Sequence, residues 1–303
     1  MTTNQTILEG LWLPLITPFL NGELDETSLR RLVRHFSAES IDGLIVSATT
    51  GEGLTLSDTE IERLVTITAD ELAALPDKLP LFLGLSGSDT RKIVETLGDT
   101  NTWPIDGYLI SCPYYTRPSQ EGLVQHFETL AANTDRSISI YNIPYRTGVN
   151  LENEAMLRLA NLPNIVGVKD CSAIPAQSFD LIGRRPDTFS VLTGEDAFYF
   201  TALVNGANGG ILASAHIQTQ AFADVLYQLS ENDHSAALAT WNSITGLAQL
   251  LFAEPSPSPI KYWLWRVGLI DSPEVRLPMQ PVSDHLAQRI DDEISQATKL
   301  KCA

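Results

Sequence analysis

The sequence predicts an α/β fold, a (β/α)8 TIM barrel followed by a small C-terminal helical extension. Three observations predict it. Short, almost continuously apolar runs alternate with longer amphipathic stretches. There are eight of each, the number that closes a parallel barrel. The turn after the first run, Thr17-Pro18-Phe19, lacks the GxGxxG pattern that an open, doubly wound nucleotide-binding sheet would carry.

The apolar runs are residues 10–16, 43–47, 80–84, 107–110, 137–141, 165–169, 189–193 and 209–212. Their near-continuous apolar character suits strands covered on both faces. Helical patterns separate them at 26–40, 57–75, 89–97, 119–133, 153–160, 176–184, 196–204 and 219–229. In the first, Leu29, Leu32, Val33 and Phe36 recur at helical spacing behind a cap at Asp25 or Thr27. The second opens on Ser57 with Glu60 three residues on, the spacing of a capping box. After about residue 230 only helical patterns remain, at 236–251, at 259–267 beyond the Pro-rich turn 254–259, and at 283–298. The expected division is a catalytic barrel over 1–230 and a helical domain over 231–303.

Composition narrows the function. With 44% apolar and 19% charged residues among 303, the chain can bury a large core. Its formal charge of −17 repels phosphate backbones and anionic lipid, so neither nucleic acid nor a membrane is an expected partner. A small anionic substrate is still admissible, because a local Arg or a set of backbone N–H groups outweighs the global field. Cys112, Cys171 and Cys302 are odd in number and show no CxxC spacing, which points to no disulfide framework, no metal and a reducing, cytoplasmic setting. Residues 1–9 are polar and lack the order of a signal peptide, and no apolar run is long enough to span a bilayer. No cofactor is expected.

In such a barrel the reacting groups sit at the C-terminal ends of strands or in the loops just beyond. Lys169 is the one lysine that ends an apolar run, Ile165-Val166-Gly167-Val168-Lys169. Burial there would lower its pKa and supply the neutral amine that a Schiff base needs; the alternative is a structural lysine paired with Asp170 or Glu195. Tyr141 ends the preceding run, one strand away, where a phenol can pass protons as a carbinolamine forms and dehydrates; the alternative is a packing tyrosine with its hydroxyl tied to backbone. Thr49 and Thr50, in Ala48-Thr49-Thr50-Gly51-Glu52-Gly53, offer hydroxyls and backbone N–H groups to a small carboxylate, or simply make a Thr-rich turn. Tyr114 and Tyr115 lie on a Pro-bounded loop that suits a subunit contact or a pocket wall. Arg146, just past Tyr141, suits bidentate carboxylate binding, or a rim salt bridge. Of five histidines only His216 is near a barrel mouth, and a structural role is favoured. Cys171 has no His partner and is not read as a nucleophile.

Residues 48–52 (ATTGE), 113–123 (PYYTRPSQEGL), 141–148 (YNIPYRTG), 165–170 (IVGVKD) and 277–281 (LPMQP), in this order and spacing, resemble the dihydrodipicolinate synthase / N-acetylneuraminate lyase family of class I aldolases. The resemblance spans nearly the whole chain and is nearest the synthase branch. It implies Lys169 as the Schiff-base lysine for a 2-oxo acid such as pyruvate, and Tyr141 as proton donor and acceptor. It implies that Thr49 and Tyr115 complete the relay, with Tyr115 supplied by a neighbouring subunit. Thr50 would hold the pyruvate carboxylate and Arg146 the second substrate's carboxylate. Gly194 and Ile211 would line the pocket with backbone groups. The implied assembly is a homotetramer built as a dimer of dimers.

Departures from the family pattern accompany the matches. Tyr145 stands where a small residue is usual, Ala48 replaces the Gly before the Thr pair, and Gly53 stands where Ser is common. At positions matching the lysine feedback site of bacterial synthases, Ser88 and Lys92 replace Asn and Glu, and Asp58 and Ile61 replace two His. A cation at Lys92 would repel a lysine ammonium, so no lysine inhibition is expected. The expected reaction is condensation of pyruvate with an aldehyde such as aspartate semialdehyde. The competing readings are a Schiff-base aldolase or dehydratase of 2-keto-3-deoxy sugar acids or 4-hydroxy-2-oxo acids, and a non-catalytic barrel that senses a small acid.

Overall fold

The computed structural model describes residues 8–76 and 78–301, with side chains to residue 296. Cys302 and the segment before residue 8 lie outside the described residues. The chain runs β1 (Gly10–Pro14), a hairpin of β2 (Phe19–Leu20) and β3 (Glu23–Leu24), α1 (Glu26–Ser37), β4 (Gly43–Val46), α2 (Asp58–Ala73), β5 (Leu81–Leu85), α3 (Thr90–Asp99), β6 (Gly107–Ser111) and α4 (Gln120–Ala131). It continues through β7 (Ser137–Asn142), α5 (Pro144–Thr147), α6 (Asn153–Leu159), β8 (Ile165–Asp170), α7 (Pro175–Arg184), β9 (Ser190–Thr193), α8 (Tyr199–Val204), β10 (Gly209–Ile211) and α9 (Thr219–Ser230). Three helices end it: α10 (His234–Leu251), α11 (Ser258–Arg266) and α12 (Asp284–Lys301).

Strands β1 and β4 to β10 pair in parallel and close on themselves through β1 and β4. This is the predicted TIM barrel, and each strand begins and ends within two residues of its expected position. Two caps follow from the sequence as read. Asp25 accepts from Ser28 N–H at 3.0 Å, and Ser57 and Glu60 form the reciprocal capping box, each cap contributing about 1 kcal/mol. The 196–204 helix departs from expectation: its first turn, Asp196–Phe198, is a 3-10 turn. The Asp196 carboxylate is buried and accepts Ser214 N–H at 2.6 Å, which ties that turn to the loop after β10.

Alternation along the strands creates two cores. Inward residues Trp12, Ile45, Phe82, Leu109, Tyr141, Leu192 and Ile211 fill the barrel lumen. Outward residues such as Leu44, Leu83, Ile110, Ile140 and Val168 pack under the helices in a larger cluster. Each fully buried Leu or Phe there contributes about 1.5–3 kcal/mol. The helices after residue 230 join this same cluster through Trp241, Ile244, Leu251, Ile260, Trp263 and Leu286. Trp241 sits 6.3 Å from the Tyr199 ring and 6.4 Å from the Phe222 ring, so α10 lies against α8 and α9 at the side of the barrel that carries β9 and β10.

Candidate active site

Register sets the centre of the site. Tyr141 on β7 is directly opposite Lys169 on β8, so both side chains leave the sheet on the same face. The Lys169 ammonium nitrogen lies 4.5 Å from the Tyr141 ring centroid. Lys169 is 4% exposed, and among the described residues it forms no salt bridge. Its neighbour Asp170 points the other way, accepting from Ser172 N–H at 2.9 Å and from Ser178 Oγ at 2.5 Å. The pairing of Lys169 with Asp170 that the sequence left open is therefore not formed. Burial pulls the Lys169 amine below the ordinary lysine value; Cys171, Asp196 and Glu195 oppose part of that shift, and the Arg146 guanidinium adds to it.

Burial likewise raises the Tyr141 phenol well above its ordinary value, with the Thr49 side chain opposing part of the rise. A neutral phenol beside a weakly basic amine is a proton donor in place. Thr50, next to Thr49, is buried. The Gly194 N–H is already committed to the Asp170 carbonyl at 2.8 Å, so only its own carbonyl is left to face a ligand. Gly194 packs directly against the lysine: a Cβ there would lie 2.4 Å from both Cys171 Sγ and Lys169 Cε, so any side chain would displace one of them. Ile211 ends β10 with its side chain in the lumen core and 0% exposed.

Two predicted residues stand apart from this centre. Tyr115 is 90% exposed, in a left-handed conformation at φ 70°, with its N–H bonded to Thr147 O at 3.0 Å. It does not reach Tyr141 within one chain. Arg146 is exposed on the short helix α5, with its guanidinium carbon 5.7 Å from the Tyr145 ring. That helix starts on Pro144 and stops on Gly148 at φ 78°, and it lifts Tyr145 and Arg146 to the rim. Tyr145, Gly194, Glu195, Asp196, Trp241 and Gln249 line a cavity of ≈320 Å³ beside Lys169, walled on one side by α10.

Other groups complete the picture. Glu195 has one buried carboxylate oxygen without a partner, and burial raises its pKa while Tyr145 and Cys171 offset part of the rise. Cys171 is buried and its thiol is pushed up by that burial, so it holds no thiolate. His216 is structural: its Nε2 accepts Ile16 N–H at 3.2 Å, its Nδ1 faces Ala213 O at 2.8 Å, and burial lowers its pKa to about 4. Among the described residues no three metal-ligating side chains cluster, and no helix is long and apolar enough to cross a membrane.

Sequence reasoning missed a second buried lysine. Lys261 is 0% exposed and paired with Glu52, two residues beyond Thr50. Its position at the start of a helix gave no sign of burial. The β2–β3 hairpin beneath it did leave a signal, Asn21-Gly22, whose positive φ values of 55° and 85° are those of a tight hairpin turn.

Known proteins resemble this chain in sequence and in fold. A 4-hydroxy-tetrahydrodipicolinate synthase 2 from Clostridium acetobutylicum is 42% identical over 285 residues, covering 93% of this chain and 98% of that protein. A 4-hydroxy-tetrahydrodipicolinate synthase from Porphyromonas gingivalis is 34% identical, covering 95% of this chain and 98% of that protein. The crystal structure of dihydrodipicolinate synthase from Thermotoga maritima superposes with a TM-score of 0.92 at 30% identity, covering 97% of this chain and 99% of that one. A structure described as the first monomeric dihydrodipicolinate synthase variant also superposes with a TM-score of 0.92, at 30% identity and 96% and 97% coverage. Residues 7–297 match the Dihydrodipicolinate synthetase family, and the chain belongs to that family.

Proposed function

We propose that the protein is a pyruvate-dependent lyase that condenses pyruvate with aspartate semialdehyde to 4-hydroxy-tetrahydrodipicolinate. The observation that carries this reading is a buried lysine at the C-terminal end of β8, with no ion pair among the described residues, beside a buried phenol. The Lys169 nitrogen attacks the pyruvate carbonyl carbon, and the carbinolamine loses water to give an imine. Loss of a methyl proton gives an enamine, whose carbon attacks the aldehyde as the aldehyde oxygen takes up a proton. The amino group of the second substrate then attacks the re-formed imine carbon, closing the ring and expelling the Lys169 amine. Tyr141 gives and takes the protons, with Thr49 as its partner and Tyr115 from a neighbouring subunit closing the relay. The exposure of Tyr115 leaves it available for that contact. Thr50 holds the pyruvate carboxylate, Arg146 the carboxylate of the second substrate, and the Gly194 carbonyl and Ile211 backbone the pocket wall.

The same reading makes residues 1–230 the catalytic barrel and 231–303 a helical extension. It makes the working form a cytoplasmic homotetramer, and the free thiols of Cys112 and Cys171 support a reducing compartment. A second reading is favoured by one observation. Tyr145, which is bulky, and Glu195 both line the cavity, and a carboxylate there can accept from the hydroxyls of a deoxy sugar acid. Assay of pyruvate with aspartate semialdehyde, then of 2-keto-3-deoxy sugar acids and 4-hydroxy-2-oxo acids, tests it. Turnover of the first pair at a kcat/KM well above the others is expected. Turnover of the sugar acids alone overturns the synthase reading, and turnover of none overturns both.

A further inference from the structure

We propose that Lys261, on the C-terminal extension, is a positioning residue for the barrel chemistry: its buried ion pair with Glu52 holds the turn of residues 47–52 so that Thr49 and Thr50 face Tyr141 and the substrate. The proposal rests on the reading that these two threonines serve pyruvate.

The turn is strained at both ends. Ser47 and Glu52 are non-glycine residues held left-handed, at φ 59° and 53°. The chain crosses itself closely between them, since a Cβ on Gly53 would lie 1.9 Å from Ser47 O. Local bonds close the loop: Glu52 N–H to Thr49 O and Gly53 N–H to Ala48 O, each at 3.1 Å, and Thr17 Oγ1 to Gly51 O at 2.6 Å. Such a geometry persists only where its surroundings over-determine it.

The over-determination comes from more than two hundred residues away. Glu52 turns its side chain out of the loop and into protein, 2% exposed, where Lys261 at 0% donates to its Oε1. Glu52 Oε2 accepts the Arg276 backbone N–H at 2.9 Å. Lys261 also donates to the Glu274 carbonyl at 2.8 Å, and lies 4.2 Å from the Phe19 ring centroid. The Arg276 guanidinium carbon is also 4.2 Å from that ring. Both carboxylate oxygens are thus occupied by the extension, which pins the Glu52 end of the turn. A buried ion pair adds little net stability, so a geometric role is the better account of its presence. Lys261 touches neither Lys169 nor Tyr141; it acts through Glu52.

The test is a double variant, Lys261→Met with Glu52→Gln, which keeps the volume and leaves no unpaired buried charge. Four quantities are measured: the rate of adduct formation with pyruvate, trapped by borohydride and read by mass spectrometry; kcat and KM for pyruvate; and Tm. The expected result is an adduct that still forms at saturating pyruvate. It forms about ten- to a hundredfold more slowly, with a raised KM, because a displacement near 1 Å of a proton-relay group has an effect of that order. Thr49→Val is then added to both backgrounds. It should slow the parent strongly and the double variant little, because the threonine is already misplaced. A double variant with parental rate and KM overturns the proposal, whatever its Tm. So does a full additional loss from Thr49→Val. Should the double variant not fold, Glu52→Gln alone carries the same criteria. Failure of the underlying reading looks different: Thr49→Val would leave the parent unchanged.

Discussion

Replacing Gly194 by Ala makes a demand on Lys169 that can be worked from distances. The added Cβ would lie 2.4 Å from Lys169 Cε, 2.7 Å from Lys169 Cγ and 2.4 Å from Cys171 Sγ. Gly194 does not occupy the left-handed region, so Ala suits the backbone and the whole effect is steric. To regain ordinary contact the Lys169 chain must move by about 1 Å, since neighbouring strands and Cys171 are themselves buried. Over-packing of this kind destabilises by about 1–3 kcal/mol, a fall of several degrees in Tm. A shift of about 1 Å in the nucleophile slows reaction by about a hundredfold, or roughly 2.7 kcal/mol in activation free energy. The assay is the rate of imine formation with pyruvate, alongside a thermal melt. Gly246→Ala is the control. Gly246 is exposed within α10 with nothing within 4 Å of an added Cβ, and should gain about 0.5–1 kcal/mol of stability with unchanged rates. A Gly194→Ala enzyme with parental imine formation would refute the placement of Lys169 against that glycine.

Removal of the Tyr141 hydroxyl, Tyr141→Phe, keeps the ring packed in the lumen and should lower kcat by about 10²–10³ with Tm nearly unchanged; steady-state kinetics at saturating pyruvate decide it. The rate of imine formation should rise with pH and level off with a midpoint below 10.5, the ordinary lysine value, because burial lowers the Lys169 pKa. Between the folded and unfolded pKa the unfolded chain binds the proton that the native lysine has lost, so this group makes stability rise with pH across that window. A midpoint at or above 10.5 in a pH-jump trapping experiment contradicts that environment. L-Lysine at micromolar to low-millimolar concentration should leave turnover unchanged, since Lys92 at the position resembling the feedback site of bacterial synthases would repel a lysine ammonium; inhibition in that range sinks the expectation.

The barrel was legible because a buried parallel strand and an amphipathic helix have different periods, and these alternate from Gly10 to Ser230 apart from the β2–β3 hairpin and the short α5. Lys169 was legible for the same reason: a cation at the end of Ile165-Val166-Gly167-Val168 contradicts the strand unless it has a task. Asp196 was read as the start of a helix, because its partner, the Ser214 N–H, lies beyond the next strand and leaves no mark on local periodicity. Lys261 was harder still. It stands among Pro259, Ile260, Tyr262 and Trp263, and its burial depends on Glu52, which was read only as part of a turn. Long-range polar pairs have no sequence period, so they emerge only when the chain is folded.

The central claim, that the Lys169 amine is the covalent anchor, has a direct measurement. The protein is incubated with pyruvate, reduced with borohydride, digested and mapped by mass spectrometry. The adduct should fall on the peptide containing Lys169 and vanish in Lys169→Arg, with turnover lost. An adduct on Lys261 or another lysine, no adduct at all, or full turnover in Lys169→Arg would contradict the account.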